Sequence, residues 1–184
     1  MRKKTGYMTT AEKTKLAARR KFAVDFAKVY PGCFVATGLL TLFAIFMTGD
    51  FYGAFTPERA AATTGVFVIN AVLIGFLVAA SHSSAADKRF PVRNTLLAFV
   101  MLALTYMACL TTSRFLSVFA MPMCLAALVM TELSNRRTSS AVSLTLAAML
   151  CVVFIHGEYY PDTSLPEVIL SIVGNFTAAL AVNM

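Results

Sequence analysis

Only two histidines, His82 and His156, offer side chains suited to proton transfer near neutral pH or to metal binding. The topology predicted below places one at each membrane face, so we expect that they do not share a metal ion. The sequence holds no His-Glu-x-x-His pattern, no glycine-rich phosphate loop and no evident histidine–aspartate pair. His156 and Glu158 can approach a divalent cation, but solvated loop residues are the favoured interpretation. We therefore predict no catalytic residue, no metal site, no cofactor and no enzyme.

Polar side chains inside the apolar stretches are the other candidates for function. Asn70 and Asn175 are predicted to form hydrogen bonds between helices, each contributing about 1 kcal/mol or less. Contact with a substrate is the alternative for both. Glu132 carries a charge close to an apolar stretch, and a salt bridge to Arg136, four residues on, is the favoured interpretation.

Three further residues mark the segment that follows the third apolar stretch. Pro122 is predicted to kink the helix around it, because proline removes a backbone hydrogen bond. Asn135 and Arg137 fall in a tight turn. The full set of candidate structural or polar positions is Asn70, Pro122, Glu132, Asn135, Arg137 and Asn175.

The composition indicates which solvent surrounds these positions. Of 184 residues, 58% are hydrophobic and 14% are charged, whereas a soluble domain carries about 25% charged residues. A helix that crosses a membrane needs about 20 mostly apolar residues. The sequence thus predicts an all-α polytopic membrane bundle of six transmembrane helices. They lie near residues 30–48, 63–81, 95–113, 115–133, 139–155 and 166–183, in one domain that spans 30–184.

The distribution of Lys and Arg predicts the orientation, because positive residues remain on the cytoplasmic side. With the N-terminus inside, fourteen of the sixteen basic residues are cytoplasmic and only Arg59 and Arg114 face outward. We therefore predict that both chain ends are cytoplasmic and that the protein lies in the bacterial inner membrane. Residues 1–29 form a basic juxtamembrane segment that provides this orientation signal or lies along the membrane surface. Pro31 is predicted to start the first span after a bend.

Cysteines and small residues are expected to serve packing. Cys33, Cys109, Cys124 and Cys151 show no spacing typical of a zinc site or a disulfide framework. The pairs at 75 and 79 and at 174 and 178 are small residues one turn apart, which allows close helix contact. Packing within one bundle is favoured over dimerisation.

One stretch resembles a known family. It runs from Pro122 to Met130 as Pro-Met-Cys-Leu-Ala-Ala-Leu-Val-Met and continues with Leu133, Asn135 and Arg137. This stretch resembles the membrane region of bacterial seven-transmembrane HD phosphodiesterases, and a Ser-x-x-Gly element at Ser171 is similar too. The resemblance covers residues 63–184. It implies a receptor-like membrane part of proteins that hydrolyse cyclic di-AMP through a separate cytoplasmic HD domain.

The family's catalytic HD domain and its large outer domain have no counterpart in this sequence, so no catalytic residue is carried over. We expect a sensory or regulatory membrane module, and one interpretation is that the chain is a fragment that lacks its output domain. The alternatives are a small transporter subunit, such as a vitamin-binding component that works with separate ATPases, and a membrane partner of the cell-wall machinery. Expected partners are the lipid bilayer and a membrane protein or cytoplasmic output domain, and not nucleic acid.

Overall fold

The computed structural model describes residues 10–48, 56–83, 91–156 and 165–182. These ranges form six α-helices, and no strand occurs within them. The helices are α1 (Thr10–Thr48), α2 (Pro57–Ser83), α3 (Pro91–Phe115), α4 (Met123–Leu133), α5 (Arg136–His156) and α6 (Leu165–Val182), with a 3-10 turn at Val118–Ala120. The predicted all-α polytopic bundle is confirmed.

Five of these helices, α1, α2, α3, α5 and α6, are long and apolar enough to cross a membrane. Their cores agree with five of the six predicted spans. Many of their large apolar side chains are exposed on the outside of the bundle, Val35, Leu104 and Leu170 among them. In water such a surface would be costly, whereas lipid tails solvate it without penalty.

The predicted fourth span, 115–133, is wrong as a single helix. The chain leaves α3 at Phe115, forms the 3-10 turn and enters α4 only at Met123. With eleven residues, α4 rises about 16 Å, roughly half of a bilayer core. Pro122 directly precedes α4 and does not kink a continuous helix. A proline has no N–H to donate, so the position before a first helical turn suits it.

The broken segment nevertheless crosses the depth of the bundle. The Ser171 hydroxyl of α6 donates to the Val118 carbonyl, and the Cys124 thiol lies 3.7 Å from the Asn175 carbonyl of α6. The residue numbers rise in the same order on both sides of these contacts, from Val118 to Cys124 and from Ser171 to Asn175. Helices α4 and α6 therefore run in the same direction. At the far end of α4, Ser134 hydrogen-bonds to the side chain of Asn94 in the first turn of α3.

We call the end of the bundle that holds Ser81, Asn94 and Ser134 the basic end, because Arg93, Arg136 and Arg137 lie there. Helices α1, α3 and α5 run away from it, and α2, α4 and α6 run toward it. Six crossings, one of them broken, therefore leave the start of α1 and the end of α6 on the same side of the bundle.

Helix α1 differs from the prediction at its start. It has thirty-nine residues, about 58 Å of helix, and passes through Pro31 without ending. The predicted helix start at Pro31 is wrong. Pro31 leaves one carbonyl of the preceding turn without its N–H donor, and this costs less free energy than ending the helix in lipid, where every backbone group needs a partner. Residues 10–21 consequently extend α1 past the last turn of α2.

Helices α1 and α2 pack closely around Gly75. The Tyr30 hydroxyl donates to the Ala71 carbonyl at 3.1 Å, and a Cβ added to Gly75 would lie 3.2 Å from Tyr30 Cε2. The Tyr30 ring also stacks on Phe26, with ring centroids 4.9 Å apart. The small residue at 75 therefore serves packing within the bundle, as predicted. Gly174 does not, since a Cβ there would meet no atom within 4 Å.

Replacing Gly75 by alanine should lower the free energy of unfolding by about 1 kcal/mol relative to Gly65→Ala, because Tyr30 must shift from its bond to Ala71. Gly65 is the matched control in the same helix, since a Cβ there meets no atom within 4 Å. Unfolding in detergent titrations measures both. Equal stabilities for the two variants would contradict the close contact.

Candidate functional site

Three of the predicted positions lie around the connection between α4 and α5. The Asn135 side-chain oxygen accepts a hydrogen bond from the Thr138 backbone N–H at 2.8 Å, so Asn135 caps the start of α5. Glu132 and Arg137 are both exposed. The helix ends between Glu132 and Arg136, so the one-turn spacing behind their predicted salt bridge does not apply.

A polar cluster at the basic end joins α2 and α3 to the connection between α4 and α5. Asn94 donates to the Ser81 carbonyl at 3.0 Å and also hydrogen-bonds to Ser134. The Ser81 and Thr95 hydroxyls lie 3.2 Å apart. The cluster therefore ties the last turn of α2 and the first turn of α3 to the α4–α5 connection. Asn94 is its central residue, and nothing in the sequence marked Asn94 as different from other loop asparagines.

Helix α1 joins this end through an acid–base pair that the sequence analysis missed. His82 Nε2 lies 3.3 Å from Asp25 Oδ2, and each side chain is only 16% exposed. The Phe22 ring meets the His82 ring edge-on, with centroids 4.9 Å apart. Fifty-seven residues separate the two partners in the chain. The absence of a histidine–aspartate pair, inferred from spacing, is wrong.

The break in the fourth crossing is stabilised from α6. Residues 116–122 leave backbone carbonyls outside a regular α-helix, which in lipid requires partners from the protein. Ser171 provides one by donating to the Val118 carbonyl at 2.8 Å. An open groove of about 340 Å³ lies beside this contact, lined by Phe119, Leu170, Ser171, Gly174, Asn175 and Ala178.

The hydrogen bond between helices that was predicted for Asn175 is made by Ser171, one turn earlier in α6. The Asn175 amide donates to the Ser171 carbonyl at 2.9 Å, one turn earlier in the same helix. The bond between helices is made by the Ser171 hydroxyl instead. The prediction of a cross-helix bond by the Asn175 side chain is therefore wrong. Ser171 was marked only as part of the Ser-x-x-Gly element, and its bond to another helix was not predicted, since most serine hydroxyls in apolar helices bond to their own helix.

Asn70 lies in the middle of α2 and is fully buried, with 0% of its surface exposed. Within the described ranges, neither its amide nitrogen nor its amide oxygen has a hydrogen-bond partner. The predicted cross-helix hydrogen bond is thus not seen there. An amide in an apolar medium without partners costs several kcal/mol, so this residue is the least expected feature of the core.

The described residues contain no group of three or more His, Cys, Asp and Glu side chains placed to hold a metal ion. The four cysteines are free thiols, and Cys33 and Cys109 are buried. Comparison with known proteins finds no matching family model, no matching curated protein and no matching solved structure. Fold and composition together define the class: the chain is a multi-pass helical membrane protein.

Proposed function

We propose that the chain is a sensory or regulatory module of the bacterial cytoplasmic membrane, with its basic end in the cytoplasm. The observation that carries the proposal is the continuity of α1. One helix packs against α2 and α3 within the bundle and then extends past the end of α2. A helix of this kind passes a displacement inside the membrane to a partner in the cytoplasm.

The contacts at the basic end support this role. The Asp25–His82 pair holds α1 at the level where the cluster around Asn94 ties together α2, α3 and the α4–α5 connection. A rearrangement of the bundle at this end therefore changes the position of α1. Exposed Arg19, Arg20 and Lys21 on the extension suit an acidic protein surface or anionic lipid headgroups.

The resemblance to the membrane region of HD phosphodiesterases makes the cellular cyclic di-AMP level the output to measure. The full chain is produced in a bacterium that makes cyclic di-AMP. We expect this to change the cellular cyclic di-AMP level at least about two-fold. Asp25→Asn should remove most of that change, because it weakens the pair with His82. Mass spectrometry of nucleotide extracts measures the level.

Thr64→Val is the control, because the exposed Thr64 hydroxyl bonds only within its own helix, to the Ala60 carbonyl at 2.7 Å. Membrane fractions must contain equal amounts of the three proteins. An unchanged nucleotide level with the wild-type chain in the membrane would contradict the proposal.

The broken fourth crossing favours a second candidate, a small transporter subunit. Discontinuous helices at membrane depth commonly form substrate sites in transporters, because their free backbone groups bind the substrate. Here the Ser171–Val118 contact and the adjacent groove mark such a break. Purification of the chain in complex with an ATPase pair, or with a retained vitamin-sized molecule, would select this function over signalling.

A further inference from the structure

The Asn70 amide, which has no hydrogen-bond partner in the described part of the chain, lies at a defined depth in the bundle. Ser81 of α2 and Thr95 of α3 are paired at the basic end. The two helices are antiparallel, so eleven residues back along α2 and eleven residues forward along α3 reach the same level, about 16 Å from that pair. These positions are Asn70 and Tyr106. Eleven residues make three full turns, so Asn70 lies on the face of α2 that carries Ser81 and contacts α3.

Two further buried hydroxyls occupy the same level. Thr105 of α3 adjoins Tyr106, and Thr145 of α5 lies nine residues, about 14 Å, from the start of α5 at the basic end. Each is 1% exposed, and neither hydroxyl has a hydrogen-bond partner in the part of the chain that the structure describes. Helices α2, α3 and α5 all pack against one another. We call Asn70, Thr105 and Thr145 the central polar layer.

Ordinary helix packing does not explain this layer. Threonines in apolar helices satisfy their hydroxyls by donating to a carbonyl one turn earlier, as Thr37 does to Cys33 and Thr41 does to Thr37. Thr105 and Thr145 do not make this bond. Three helices therefore place at one depth polar groups that have no partner within the described ranges, and lipid and apolar side chains offer no replacement.

The chemistry of the layer favours an uncharged hydrogen-bonding group over an ion. The stretches 60–81, 94–113 and 138–155 contain no Asp, Glu, Lys or Arg, so a bound ion would lack a counter-charge in a medium of low dielectric constant. The amide and the two hydroxyls both donate and accept hydrogen bonds. Fully buried Leu77, Leu102 and Leu146 are core residues of the same three helices. The ligand that fits is small, uncharged and capable of both donating and accepting.

We propose that the central polar layer binds a small uncharged solute of the neutral amide or polyol class. The site has a polar neighbour on the basic side, because Thr138 lies two helical turns from Thr145 on the same face of α5 and its hydroxyl also lacks a partner among the described residues. This site goes beyond the proposed signalling role and serves a sensor or a transporter equally.

The test uses the full chain purified in detergent micelles, with acetamide and glycerol as separate probes at about 10 mM, and follows the unfolding midpoint. A thiol-reactive fluorogenic dye reports unfolding through Cys33 and Cys109, which are 2% and 0% exposed. At least one probe should raise the midpoint of the wild-type chain by about 3 °C, because a ligand that binds only the folded state stabilises it.

Asn70→Leu should abolish this rise, and Thr64→Val should retain it. If Asn70→Leu does not fold, Thr145→Val takes its place. The proposal is overturned if neither probe shifts the wild-type midpoint, if the shift persists in the layer variant, or if sodium chloride alone produces it. The readout contains no nucleotide, so a failed binding test and a failed signalling test are separate results.

Discussion

Ser171→Ala is expected to lower the free energy of unfolding by about 2 kcal/mol, a large effect for the loss of one hydroxyl. The hydroxyl donates to the Val118 carbonyl, which lies in the 3-10 turn where the fourth crossing is broken. Without it, a buried carbonyl loses its partner in surroundings that contain little water. The full desolvation cost of that group then remains in the folded state.

Unfolding titrations in mixed micelles measure this loss. Thr177→Val is the matched control on α6, because the exposed Thr177 hydroxyl bonds only to the Val173 carbonyl of its own helix. That variant should stay within about 0.5 kcal/mol of the wild type. A Ser171→Ala protein as stable as the Thr177 variant would show that the turn at Val118 does not depend on α6.

The long helices were predictable because their signal is local. A run of apolar residues without charge must be helical in lipid, and α2, α3, α5 and α6 begin and end within six residues of the predicted spans. The start of α1 was not predictable in this way. Pro31 is a helix breaker in water, but α1 continues through it. The first residue of α1 lies in a charged segment, where no apolar run marks a boundary.

The structure of the fourth crossing depends on contacts between residues that are distant in the chain. Composition identified residues 115–133 as apolar, and Pro122 was recognised as incompatible with a regular helix. Whether such a proline produces a kink or a full break depends on partners for the freed backbone groups. Here the partner of the Val118 carbonyl is Ser171, which lies fifty-three residues from Val118 in the chain. The same limit applies to the Asp25–His82 pair, which only the packing of α1 on α2 brings together.

Asn94 and Asn70 carry the same side chain in opposite circumstances. Asn94 uses both its amide nitrogen and its amide oxygen, in bonds to Ser81 and Ser134. Asn70 uses neither within the described residues, although it is more deeply buried. A sequence reading assigns both asparagines a similar polar preference. The structure separates a residue that holds helices together from one whose buried amide has no partner among the described residues.

Asn70→Leu is therefore expected to raise the free energy of unfolding of the ligand-free chain by about 2 kcal/mol, whereas Asn94→Leu should lower it by a similar amount. Leucine has the same number of side-chain heavy atoms as asparagine, and at position 70 it removes two polar atoms that have no described partner. At position 94 it leaves the Ser81 carbonyl and the Ser134 hydroxyl without their bonds.

Both leucine variants are compared with the wild-type chain after extensive exchange into solute-free detergent, so that no bound molecule contributes to stability. The opposite signs make the comparison informative, because a general preference of the bundle for apolar residues would stabilise both variants alike. A loss of stability in Asn70→Leu would mean that the amide already has a partner in the folded protein. In that case Asn70 would hold helices together, and the central polar layer would have no unsatisfied amide to offer a ligand.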